Sequence, residues 1–397
     1  METDVTTSLP TTRPADRPFD PPAGLAELRE QRPLSRLNYP DGHAGWLVTS
    51  HALVREVLAD PRFSVRAELR HVPIAGVPGG NRPAPPGFFN ALDAPEHTRY
   101  RRLLTGQFTV RRMRRLTEQI QDITAEHLDA MERRDCPVDL VEALAQPVPA
   151  QVICELLGVP YADRARFQRQ ALDMSRLDSS PERTGAAYAA VQEFLGELVP
   201  AKRAEPTDDL LSDLTAADLS DEELVNIGFV LLGAGLDTTA NMLALGTFAL
   251  LSNPGQLALL RADPGIAGDA VEELLRYLSI IPFTVRTALE DIELHGERIK
   301  AGETVTVSIP AANRDPARFA DPDTLDLLRQ ARGHVAFGHG VHQCLGQQLA
   351  RVEMQVALPA LLTRFPSLRL AVPAEDVALR TDMLIHGVHQ LPVTWEA

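Results

Sequence analysis

The chain predicts a mainly α-helical protein with a small β portion, and three observations carry that reading. Apolar residues recur at three- and four-residue spacing from Pro95 to about Leu251, among helix-forming Ala, Leu, Glu, Gln and Arg. One of these stretches is long enough to cross a whole domain. Strand-like patterns appear as short pieces after Pro282.

Taken in order, the first 22 residues are polar and proline-rich and lack an apolar signal segment, so they are expected to form a flexible tail. Residues 23–397 are expected to form one domain, because no repeat or low-complexity linker divides them. Phe63 to Asn90 is rich in Gly and Pro without helical period, and reads as a long loop of the kind that usually serves function. Ser220 with Glu223 three residues on forms a capping box. Helical patterning then continues to Ser252, where Asn253-Pro254 stops it. Those 32 residues span about 48 Å as a helix. The middle is apolar all round, which predicts a buried central helix.

A second helix is expected from about Ile266 to Leu278, ending before Pro282. IELHGERI carries a His-Gly turn signal and TVTVSI alternates, so both read as strands. NRDPARF reads as a turn, followed by a long loop to Phe337. A last helix is expected from near Leu345 to about Phe365, with Pro359 as a candidate kink. The final IHGVHQLPVTW reads as a hairpin.

Composition excludes several classes. With 44% hydrophobic and 23% charged residues the chain is neither disordered nor fibrous. Its 39 basic against 54 acidic residues give −15, which argues against a nucleic-acid partner. Three cysteines, Cys136, Cys154 and Cys344, are too scattered for a disulfide framework and fit a reducing cytoplasm. No run of 18 or more apolar residues is present, so no membrane span is expected.

Four constellations carry chemistry. In FGHGVHQCLG, Phe337 to Gly346, glycines bracket Cys344 just before a helix. Gly338 and Gly340 permit turns closed to other residues, and Gly346 permits close approach. A helix N-terminus stabilises a sulfur anion. Taken alone, a cysteine beside a glycine turn is most often a buried free thiol; zinc lacks a second cysteine at ligand spacing. Glu273 and Arg276 share a helix face at i, i+3, where ion pairs are commonplace. Asp237 and Thr238 place a carboxylate and a hydroxyl in the apolar middle of the long helix, which is costly unless they are used or satisfied. Thr238 can bond back to the preceding turn, and Gly235 can ease a distortion there. His97 and Arg101, at i, i+4, present two donors suited to carboxylates.

Taken together, these motifs resemble those of the cytochromes P450. F-G-x-G-x-H-x-C-x-G matches the family's haem-ligating loop at Phe337, Gly338, Gly340, His342, Cys344 and Gly346. Glu273-x-x-Arg276 matches its structural E-x-x-R pair, with Asn313-Arg314-Asp315-Pro316 between the two. Ala234-Gly235-x-Asp237-Thr238 matches its oxygen-binding segment. The likeness covers Phe63 to Trp395 and is closest to soluble actinobacterial, ferredoxin-dependent members. Gln343 and Thr324 to Arg329 depart from the common pattern, which implies small effects on redox tuning and local packing.

The resemblance implies the P450 fold, with the long central helix over one non-covalent haem (heme b, iron protoporphyrin IX). It implies Cys344 as axial thiolate and metal ligand. His97, Arg101, Arg286 and His342 would hold haem propionates, and Phe337, Gly338 and Gly346 would shape the loop. Asp237 and Thr238 would relay protons, with O2 as co-substrate; a peroxide-using relative would not need that pair. The activity implied is insertion of one oxygen atom into a largely hydrophobic natural product or xenobiotic, usually as hydroxylation. Phe89, Leu232, Ala234, Ile281, Val285 and Leu384 are the expected pocket walls. Electrons would come from a ferredoxin and an NAD(P)H-dependent ferredoxin reductase, docking on Arg101, Arg102, Arg111, Arg112, Arg114, Arg115 and Arg351. A cytoplasmic monomer is expected. The sequence does not name the substrate or the position oxidised.

Overall fold

The computed structural model describes residues 8–396 apart from Pro78, Asn81, 161–168 and 170–179. It is mainly helical and contains two compact units. The first gathers the chain up to Ala84, Asn90–His97 and Glu272–Cys344; the second gathers Pro85–Phe89, Thr98–Val271 and the chain from Leu345 onward.

The first unit is built on a five-stranded sheet, in the order Leu34–Asn38, Ala44–Val48, Thr304–Ser308, Phe283–Ala288 and Phe63–Ser64. All neighbours are antiparallel except Ala44–Val48 against Thr304–Ser308. Trp46, Val48, Val305 and Val307 from this sheet share a core with Val54, Val57 and Leu58 of the helix His51–Ala59. The alternation in Thr304–Ser308 suggests one wet face, yet all five residues are buried. The threonines tolerate this because their hydroxyls are partnered: Thr306 Oγ1 lies 2.7 Å from the Tyr39 hydroxyl. The expected two-stranded piece forms as Ile292–Leu294 and Glu297–Ile299, turning at His295 and Gly296, both at positive φ.

Two expectations are corrected. Residues 8–22 are not a free tail. Leu9 packs with Leu37, Tyr39 and Leu47, Phe19 is buried, and the Phe19 carbonyl accepts from the Arg314 guanidinium at 3.1 Å. Isolated apolar residues among prolines carry no period that would reveal this. The turn expected at Asn313–Phe319 forms, preceded by a short helix, Ile309–Asn313, started by Ser308 as cap and Pro310 in its first turn. The C-terminal hairpin does not form. Residues 379–389 close through one bridge, Leu379 to Val388, and Pro392–Thr394 pairs instead with Val138–Asp139 and Arg369–Leu370. Partners so distant leave no local trace.

The second unit is organised by the helix Asp221–Leu251. Its capping box forms as expected: the Glu223 amide donates to Ser220 Oγ at 3.2 Å and the Ser220 amide to Glu223 Oε2 at 2.7 Å. Glu223 Oε1 also accepts from the Tyr100 hydroxyl at 2.6 Å and from Arg99, tying in the helix Glu96–Thr105. Pro147–Leu157, Pro181–Ala204 and Gln347–Arg364 pack against the long helix. Gly235 serves this packing, since a Cβ there would meet Ile153 Cγ1 at 2.8 Å. The helix runs unbroken past it. Gln347–Arg364 likewise runs on through Pro359. Asp221–Leu251 is the one described helix long and apolar enough to cross a membrane, and 67% of its most apolar window is buried in the protein.

Candidate active site

In the first unit, Cys344 is exposed, whereas Cys154 is fully buried in the helix Pro147–Leu157 of the second. The cysteine loop is held by its own backbone: the Cys344 amide donates to Phe337 O at 2.9 Å and the Gly338 amide to Val335 O at 2.9 Å. Gly338 and Gly340 sit at φ 71° and 75°, where a side chain is strained. A Cβ on Gly340 would also strike the Leu58 carbonyl at 2.4 Å. Gly346 is the N-cap of the helix Gln347–Arg364, at an ordinary φ of −80°. No protein atom crowds it, so the expected close approach is not to another part of the chain.

Behind this loop the E-x-x-R pair is buried and bidentate. Arg276 Nε and Nη2 donate to Glu273 Oε2 and Oε1 at 2.7 and 2.8 Å. Arg276 Nη1 also reaches the carbonyls of Asn313 and Pro322, both at 2.8 Å. Asn313 Oδ1 in turn accepts from the Val335 amide at 2.8 Å, two residues before Phe337. The stretch Thr324 to Arg329, read from sequence as a minor departure, belongs to this network. Its Asp326 amide and Arg329 Nε both donate to Glu273 Oε1, at 3.0 and 3.2 Å.

Among the expected propionate ligands, the His97 and His342 rings lie with centroids 3.9 Å apart. Arg286 is buried on the strand Phe283–Ala288, and its Nη1 bonds Thr284 Oγ1 and Val285 O. Burial pulls its guanidinium down to about 10, with only Asp93 opposing at a distance. No carboxylate among the described residues pairs with it. Arg101 lies one turn beyond His97 on the helix Glu96–Thr105 and is half-buried. Ile281 and Val285, two expected pocket residues, are part-exposed.

In the second unit, Thr238 Oγ1 donates to the Ala234 carbonyl, one turn back, at 2.7 Å. Asp237 is buried and ion-paired: Arg380 Nη1 donates to its Oδ1 at 2.8 Å. Arg380 carries no motif and was not anticipated; it is 143 residues away in sequence. Of the remaining pocket candidates, Ala234 and Leu384 are exposed. Leu232 and Phe89 are instead buried, at 1% and 6% exposure. The neighbours Phe88 and Phe229 are the part-exposed aromatics, with rings 5.6 Å apart.

A family description, cytochrome P450, matches residues 267–382. Over 380 residues the chain is 51% identical to cytochrome P450 105C1 of a Streptomyces species, covering 95% of this chain and 96% of that one. This chain belongs to the cytochrome P450 family. It is also 46% identical to pentalenic acid synthase of Streptomyces avermitilis, over 95% of each chain. It matches the crystal structure of CYP105P1 in complex with filipin I with a TM-score of 0.93 at 45% identity, covering 98% of this chain and 99% of that one. The protein is accordingly a P450 monooxygenase, with haem iron as cofactor and O2 as co-substrate.

The residues present fit that cofactor. A thiol is displayed rather than buried, beside a glycine that no protein neighbour requires. The buried Arg286 guanidinium pairs with no carboxylate among the described residues, and a haem propionate is the anion that would neutralise it.

Proposed function

We propose that this P450 hydroxylates a largely hydrophobic natural product or xenobiotic, with Cys344 as the thiolate that would hold a b-type haem. One observation carries the reading: an exposed thiol in a backbone-pinned loop ahead of a helix N-terminus, in a chain that keeps Asp237 and Thr238. Bound haem, with thiolate donation, supplies the activation of dioxygen. His97, Arg101, Arg286 and His342 would hold its propionates, and Phe337, Gly338 and Gly346 would shape the cysteine loop. Thr238 and Asp237 pass protons at Oγ1 and the carboxylate. Residues 23–397 serve as one catalytic domain in a cytoplasmic monomer. The substrate class is supported by the apolar Ala234 and Leu384, both exposed, and Ile281 and Val285, both part-exposed, and by similar proteins whose names record filipin and pentalenic acid.

Screening a compound library for shifts of the haem spectrum identifies the ligand class. With the compound giving the largest shift, Thr238→Ala is expected to bind haem and compound normally. Product per electron should fall on the order of 10²-fold, the lower range for loss of a general acid, with peroxide released instead. Unchanged product per electron would remove Thr238 from proton transfer.

The electron donor we propose is a ferredoxin, itself served by an NAD(P)H-dependent reductase. Its dock is narrower than the basic cluster suggests. Arg112 pairs with Asp213 at 2.5 Å and Arg115 with Asp208, so both are engaged internally. Arg111 and Arg114 are exposed. Reversing both to Glu should slow reduction by ferredoxin roughly 10-fold at low salt, with the gap closing as salt rises. A reduction rate indifferent to salt and to both reversals places the dock elsewhere.

A further inference from the structure

On the reading of Cys344 as the thiolate, on which this rests, we propose that Glu272 and His334 are positioning residues for it. Together they carry the influence of a buried carboxylate, through successive peptide groups, to the Cys344 amide.

Glu272 precedes Glu273 on the helix Ala267–Leu278. Its Oε2 lies 3.3 Å from His334 Nε2, with the two side chains 11% and 1% exposed. The Ala336 amide donates to His334 Nδ1 at 3.1 Å, which leaves the ring's proton on Nε2. That nitrogen meets no acceptor in hydrogen-bond line, so Glu272 acts on the ring by its charge at short range. The N–H held by His334 belongs to the peptide group of Val335 and Ala336. The carbonyl of the same group, Val335 O, accepts from the Gly338 amide at 2.9 Å. The peptide group of Phe337 and Gly338 then presents its own carbonyl to the Cys344 amide, also at 2.9 Å. Three hydrogen bonds therefore run head to tail from the imidazole to the cysteine. Each polarises the next, and an anion at the start strengthens every acceptor along the row.

A histidine beside a tight turn commonly does no more than satisfy a buried amide. Two features go further here. The row of bonds ends on the cysteine's own amide. The entry to the loop is also already fixed one residue earlier, where the uncharged Asn313 side chain accepts from the Val335 amide at 2.8 Å. The adjacent acids differ in kind as well. Glu273 is bound by the guanidinium groups of Arg276 and Arg329, which offset its charge, whereas Glu272 faces an imidazole whose Nδ1 is an acceptor. Hydrogen bonds around a ligand tune its donor strength and the potential of the metal it holds. A negative charge passed toward the sulfur opposes the arrival of an electron, so Glu272 favours the oxidised state.

The test uses substrate-free holoenzyme, read by its reduction potential and by the fraction of thiolate band formed when reduced under carbon monoxide. Glu272→Gln keeps the side chain's size and removes its charge, so the band is expected to stay and the potential to move positive. His334→Asn should move the potential by the same amount: asparagine Oδ1 takes an amide two residues on but is too short to meet Glu272. His334→Phe, which abandons the Ala336 amide, should move the potential and lose part of the band as well. Glu272→Gln combined with His334→Asn should shift the potential no further than either alone, because both cut one path. An unmoved potential in Glu272→Gln, or shifts that sum in the double variant, overturns the proposal. Should Glu272→Gln load no haem, Glu272→Asp decides: loading at the wild-type potential supports the charge, and absent loading or a shifted potential overturns it. A wild-type protein without the thiolate band sinks the reading of Cys344 instead, and the proposal with it.

Discussion

Cys344→Ala is expected to fold and yet give no thiolate absorption band when reduced under carbon monoxide. Its loss is chemical, since the side chain is exposed and packs no core. The loop is held by backbone bonds from Cys344 to Phe337 and from Gly338 to Val335, which alanine leaves intact. The other cysteines give the control. Cys154 is fully buried, so Cys154→Ala should lower stability by about 1 kcal/mol through lost packing and keep the band. Cys136 is exposed on the surface, and Cys136→Ala should change neither. Retention of the band in Cys344→Ala, with its loss in Cys154→Ala, would reassign the ligand.

Glu273→Ala or Arg276→Ala should leave little soluble, haem-loaded protein. Both side chains are fully buried, so removing either strands the other's charge. Such a break costs about 3–5 kcal/mol, against a total stability of about 5–15 kcal/mol for a domain. The damage spreads beyond the pair. Without Glu273, Arg329 Nε and the Asp326 amide lose their acceptor; without Arg276, the carbonyls of Asn313 and Pro322 lose their donor. Asn313 holds the Val335 amide, so the cysteine loop loosens with them. Glu273→Gln, which keeps the shape and one acceptor oxygen, should recover part of the yield. Normal yields of loaded protein from both alanine variants would show that the pair is dispensable.

Much of this was legible before the fold was known, for a reason that differs from one feature to the next. The helix Asp221–Leu251 announces itself through a local capping box and a local stop, interactions between residues three or four apart. The cysteine loop is legible because its glycines are demanded by backbone angles within ten residues. The pocket walls were only half legible. Neighbouring phenylalanines, Phe88 and Phe89, point to different surroundings, and composition cannot tell which is buried. The basic cluster misled in the same way: arginines that read as a free surface are partly consumed by Asp208 and Asp213, about 100 residues on.

The sequence by itself determined the helical class, the central helix, the thiol and the acid–alcohol pair, because each depends on residue type and near-neighbour spacing. Tertiary structure alone decided the rest. It packed Leu9 and Phe19 into the first unit, gave Pro392–Thr394 strands from elsewhere as partners, and drew Thr324 to Arg329 into the Glu273 network. It also set Arg380 against Asp237. A buried polar group takes its partner from whatever the fold brings within 3 Å or so, and distance along the chain places no limit on that choice.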